Sequence, residues 1–110
     1  MTVPTPVSRC IAALTLLSAL GLVLPATAAE PDPGLRKNGC YACHKDDGRM
    51  IGPGFKEVAA KYKGDAGAPE RLAGKVRLGG SGAWGQMAMP PHPAIADAEL
   101  KAMIAYVLAL

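Results

Sequence analysis

Cys40-Tyr41-Ala42-Cys43-His44 sets two thiols three positions apart with an imidazole directly behind the second. Two thiols on one short turn can add across the two vinyl groups on one edge of a porphyrin, while the next side chain projects an imidazole under the iron. This is the Cys-x-x-Cys-His pattern of c-type haem attachment. Two other chemistries use the same residue types. A structural zinc site needs four ligands, and outside this motif the chain offers only His92 and Cys10, the latter at the head of an apolar leader. A redox dithiol is expected in a βαβ setting, and no such alternation of strand and helix patterns is present.

A haem iron with one protein ligand is either open to small molecules or closed by a second side chain, so the second ligand decides the function. The candidates are Met50, Met87, Met89, Met103 and His92. Met103 falls on the apolar stripe of a C-terminal helical pattern and is expected in the core, and Met50 follows His44 by only six residues. Met89 stands in a long glycine-rich stretch and is followed by Pro90-Pro91. Two prolines fix two φ angles and remove two backbone donors, which makes a rigid mount for a weak thioether ligand. Met87 is the alternative thioether, with Met89 then packing on the haem edge. His92 is the rival of different chemistry, since imidazole binds ferric iron well. It can replace Met89, donate to its sulfur, or stand in solvent. A protonated imidazole beside the iron would favour the ferrous state, so the potential would fall as pH rises.

Ahead of Glu30 the one charged side chain is Arg9, and Ile11 to Leu24 is a largely apolar run of 14 residues closed by Pro25-Ala26-Thr27-Ala28-Ala29. That is the order of a secretory signal peptide, and the run is short of the about 20 residues a membrane span needs. Residues 1–29 are therefore expected to be cleaved, after Ala28 or Ala29, leaving residues 30–110 as a single domain. A lipoprotein cysteine would close the apolar run, whereas Cys10 precedes it and is expected to leave with the leader. Export implies an oxidising compartment, the periplasm, with no stable membrane insertion after cleavage.

The mature chain of about 81 residues carries a formal charge of +2 and has Tyr41, Phe55, Tyr62, Trp84 and Tyr106 as its aromatics. A chain of this length buries only about 60% of its unfolded surface and is marginal without a staple. A large bound cofactor would complete the core. The charge is too small and too scattered for a nucleic-acid partner, and no pattern of paired acid–base groups marks an enzyme.

The elements that must position these groups follow from local signals. Asp32-Pro33 supplies an N-cap and a first-turn proline, predicting a short helix over 35–41. Residues 45–54 are rich in turn formers and read as a loop. Phe55, Val58, Ala59 and Tyr62 share one helical face. Pro69-Glu70 opens a helix to Leu78, with Leu72, Val76 and Ala73 inward, and Gly79-Gly80 closes it. Between Gly79 and Ala96 lies an irregular stretch too long for a mere connector. Asp97 is expected to cap a terminal helix with Leu100, Met103, Ile104, Val107 and Leu108 inward. No strand pattern is visible, so the fold class is all-α.

The combination of Cys40-Tyr41-Ala42-Cys43-His44, Met50-Ile51-Gly52-Pro53, Phe55 to Tyr62, Trp84-Gly85 and Met89-Pro90-Pro91 resembles the short bacterial class I cytochromes c of the c-551 type. The resemblance spans almost all of the mature chain. It implies the small class I cytochrome c fold, about four helices around one covalent haem c joined to Cys40 and Cys43. It also implies iron held by His44 and Met89, and transfer of single electrons between a donor and an acceptor redox protein by a monomeric carrier. The Pro53 carbonyl is similar to the group that fixes the proximal histidine. Trp84 resembles an indole that hydrogen-bonds a haem propionate, and Lys75 stands where the family often has a basic propionate partner. Where the family commonly carries an Asn after Met-Pro-Pro, this chain has His92. Lys37, Lys45, Lys56, Lys61, Lys63 and Lys75 could ring the haem edge for docking or form a merely solvated face. Two functions remain as alternatives: a permanent haem subunit of a larger periplasmic oxidoreductase, and a five-coordinate haem protein that binds gases.

Overall fold

Asp32 starts the first helix from its side chain, its carboxylate accepting the Leu35 N–H at 3.0 Å and Pro33 filling the first helical position. In this computed structural model, which describes Met1, Thr2 and residues 30–110, the result is α1, Pro33–Lys37. The leader, its cleavage point and Cys10 lie outside the described residues. The Asn38 side chain caps α1 by donating to the Gly34 carbonyl at 2.8 Å. Gly39, at φ 72°, then reverses the chain into a single 3₁₀ turn, Cys40–Ala42. The left-handed region favours glycine because it has no Cβ to clash. The helix expected over 35–41 is thus split at Asn38-Gly39, and the second piece is the tighter turn that carries the thiols.

Helix α2, Phe55–Lys61, is capped by Glu57, which reaches back to accept the Gly54 N–H at 2.7 Å. Helix α3, Ala68–Leu78, ends at Gly79 with φ 67°, the glycine stop anticipated from sequence. Helix α4 spans Asp97–Leu108, with Ala96 rather than Asp97 at its N-cap position. Asp97 is instead the first helical residue, and its carboxylate pairs with Arg77 from the end of α3, a site where negative charge still favours a helix start.

The core forms where α1, α2 and α3 meet α4. Leu35, Phe55, Val58, Ile95, Leu100, Met103, Ile104 and Val107 are buried in one cluster, and Leu72, Ala73, Val76 and Leu108 pack half-buried against it. Gly34 permits the α1–α4 approach, since a Cβ there would stand 2.8 Å from Met103 Cγ. The fold is that of a small helical protein with one addition: β1, Gly80–Gly82, pairs antiparallel with β2, Gly85–Met89, through Gly80–Met89 and Gly82–Gly85. This hairpin occupies part of the stretch read as irregular. Its strands bury no face, so the sequence has no period-two apolar pattern there. Among the described residues no helix is long and apolar enough to cross a membrane.

Candidate functional site

A cavity of about 310 Å³, walled mostly by apolar atoms, opens between the attachment turn, the loop before α2, α3, the hairpin and α4. It brings together the residues expected to hold the haem: Cys40, Cys43, His44, Pro53, Lys75, Trp84 and Met89. Met87 and His92 reach the same wall, whereas Met50 does not.

His44 is the most constrained of them. The 3₁₀ turn brings its N–H onto the Cys40 carbonyl at 3.0 Å, and its Nδ1 lies 2.8 Å from the Pro53 carbonyl oxygen. A carbonyl can only accept, so Nδ1 carries the hydrogen and Nε2 offers a lone pair. Phe55 stacks on the ring with centroids 5.0 Å apart and planes at 15°. On Gly52 a Cβ would stand 2.5 Å from His44 Cε1. Phe55 also meets the Tyr41 ring edge-on at 5.7 Å, and the Tyr41 hydroxyl donates to Asp46 at 2.9 Å. Burial first, and then that carboxylate, push the Tyr41 phenol well above its ordinary range. The sequence placed Gly52, Phe55 and Tyr41 in motifs or on a helical face without assigning them, or Asp46, a part in holding the imidazole. The only sign was the position of Gly52-Pro53 before a helix start, and periodicity assigns Phe55 to the core without revealing the imidazole against it.

The two thiols are free and half-buried. Burial raises the Cys40 pKa, with Asp32 and Cys43 adding to the effect and a backbone hydrogen bond opposing it.

Met87 and Met89 lie two apart in β2 and so point to the same side, which is why both reach the cavity. Burial separates them: Met87 is 71% exposed, Met89 half-buried. Behind Met89 the chain is tightly set, since a Cβ on Gly79 would stand 2.3 Å from the Met89 carbonyl oxygen. Met103 is in the core as expected, 2% exposed, with the Asn38 amide 3.6 Å from its sulfur. His92 is half-buried and anchored by its main-chain N–H to the Val76 carbonyl at 2.9 Å. Lys75 and Trp84 are half-buried at the cavity wall. Of the other lysines, Lys37 pairs with Glu99 and Lys56 with Asp47, each at 3.1 Å.

A sequence profile of the family described as Cytochrome c matches residues 34–110. The chain belongs to the cytochrome c family. It is 47% identical over 75 residues to cytochrome c-551 of Allochromatium vinosum, covering 68% of this chain and 80% of that protein. With cytochrome c-552 of Nitrosomonas europaea it shares 42% identity over 93 residues, 84% of this chain and 90% of the relative. The crystal structure of wild-type Nitrosomonas europaea cytochrome c552 superposes with a TM-score of 0.66 at 42% identity, over 69% of this chain and 94% of that one. The protein is thus a short class I cytochrome c of the c-551 type, and the helical fold is the small cytochrome c fold. Membership implies a covalently bound haem c and a role in electron transport. The donors present fit that group: two thiols, an imidazole with its free lone pair set by Pro53, and a thioether, all in the wall of one apolar cavity.

Proposed function

We propose that this cytochrome is exported to the periplasm, loses residues 1–29, and carries single electrons as a monomer between a donor and an acceptor redox protein. The observation that carries the reading is His44 locked through Nδ1 on Pro53 in the wall of the cavity that half-buried Met89 also lines. The haem, when bound, supplies an iron couple that takes up and gives back one electron.

The chain's own residues do the rest. Cys40 and Cys43 would hold the haem, their thiols being placed for thioether links to its vinyl groups. His44 would hold the iron through Nε2, and the Pro53 carbonyl fixes the ring and raises its basicity. Met89 supplies the second ligand, a thioether that favours ferrous iron and raises the potential. The apolar wall penalises the extra charge of the ferric state and so acts in the same direction. Trp84, half-buried at the cavity wall, offers an indole N–H to a propionate, and Lys75 offers the counter-charge.

Potentiometric titration of the holoprotein purified from the periplasm tests this reading. A reversible one-electron step is expected, with no carbon monoxide bound by the ferrous form. Rapid carbon monoxide binding would mark an open iron, and constant co-purification with a larger enzyme would mark a subunit rather than a carrier.

A further inference from the structure

The hairpin that ends in Met89 has little of its own to hold it in place. β1 is Gly80-Ser81-Gly82, exposed throughout, and β2 is exposed as far as Met89. A two-stranded ribbon is marginal in water, and three of its glycines sit at φ between 105° and 116°. Two other segments fix its turn. Arg49, in the loop before α2, donates from Nη1 to the Trp84 carbonyl at 3.2 Å, and its guanidinium carbon stands 5.9 Å from the Trp84 ring. Lys61, the last residue of α2, donates from Nζ to the Ala83 carbonyl at 3.1 Å and lies 4.6 Å from the same ring. Among the described residues these are the hydrogen bonds that reach residues 80–89 from outside the hairpin. Each cation therefore grips the backbone through its N–H and the indole through its attraction to the ring face.

We propose that Arg49 and Lys61 are positioning residues that clamp the hairpin turn, keep Met89 seated, and so set how readily an outside ligand displaces it. The inference rests on the reading of Met89 as an iron ligand. Release of the thioether needs β2 to swing away from the cavity. At its base the hairpin is backed by the main chain of Gly79; at its turn half-buried Trp84 packs against the core, and the two cations hold that indole and its backbone from outside the hairpin. They come from separate segments, so loss of either leaves one tether. Arg49 also lines the cavity, but Lys61 does not. The side-chain contacts of Lys61 with the site therefore run through the hairpin.

The test is imidazole binding to the ferric holoprotein, followed by loss of the sulfur-to-iron charge-transfer band, in wild type, Lys61→Met, Lys61→Arg, Arg49→Met and Arg71→Met. Arg71 is the control: it stands 6.0 Å from the Tyr62 ring and pairs with Asp65, the same kind of contact away from the hairpin. Lys61→Met and Arg49→Met should each bind imidazole about 3- to 10-fold more tightly, the range expected for losing one such exposed contact. Lys61→Arg and Arg71→Met should bind as wild type does. Unchanged affinity in Lys61→Met overturns the clamp, as does an equal gain in Arg71→Met, which would mark general loosening. A wild-type protein without the band overturns the Met89 reading and the clamp with it; a normal band with equal affinities overturns the clamp alone.

Discussion

At His44 the ring is held on several sides, and each contact has a different physical origin. The Pro53 carbonyl selects the tautomer, Phe55 covers a face, and the missing side chain of Gly52 makes room for the imidazole edge. The Cys-x-x-Cys-His spacing announces the imidazole from sequence alone, because covalent attachment tolerates so few arrangements. The Pro53 carbonyl comes into view only through the family resemblance, and the other contacts are less legible still: a glycine and a ring look the same in sequence whether they touch a histidine or a leucine. Gly52→Ala should therefore drive the ring off Pro53, at an overpacking cost of about 1–3 kcal/mol. Denaturant melts of the holoprotein check this, and a variant as stable as wild type would show that the ring has room to spare.

The helices were readable in the sequence from different signals: Asp32-Pro33 for α1, the shared face of Phe55, Val58, Ala59 and Tyr62 for α2, Pro69 and Gly79 for α3, and the apolar stripe for α4. The exceptions are instructive at this scale. Asp97 carries the residue type of a cap but stands one position inside α4, drawn to Arg77. The hairpin escaped notice because its strands are exposed glycines with no buried face to pattern. Between α1 and α4 the link is polar: Lys37 and Asn38 both donate to Glu99, and the Lys37 hydrogen bond chiefly holds the Glu99 carboxyl below its ordinary range. A depressed folded pKa gives stability that is present above the unfolded value, about 4.3 for Glu, and is lost as pH falls through the folded one. Lys37→Met should therefore lose less melting temperature than wild type on acidification through that window. Parallel pH dependences in the two proteins would show that the pair contributes nothing measurable, a common result for exposed ion pairs.

Across the whole molecule the apolar core is small, and the cavity stands beside it, sharing Leu35, Phe55, Val58, Leu100, Met103, Ile104 and Val107 as wall. The marginal size of an 80-residue chain and its few aromatics lead to the expectation that a cofactor completes the interior. Cys40→Ala with Cys43→Ala should give a chain without covalent haem and without cooperative helical structure at 25 °C by circular dichroism. A folded, helical apo-protein would show that the core suffices alone. The sequence favours Met89 because Pro90-Pro91 stiffen the chain directly behind it, although Met87 stands beside the same turn and points to the same side of β2. Their unequal burial separates them, and burial is a property of the assembled molecule.

The ferric absorption spectrum tests the central claim most directly, read at the sulfur-to-iron charge-transfer band in wild type, Met89→Ala and Met87→Ala. Ligation by His44 and Met89 predicts the band in wild type and in Met87→Ala, and its loss in Met89→Ala together with a lower potential. A band that survives in Met89→Ala, or disappears in Met87→Ala instead, would contradict it.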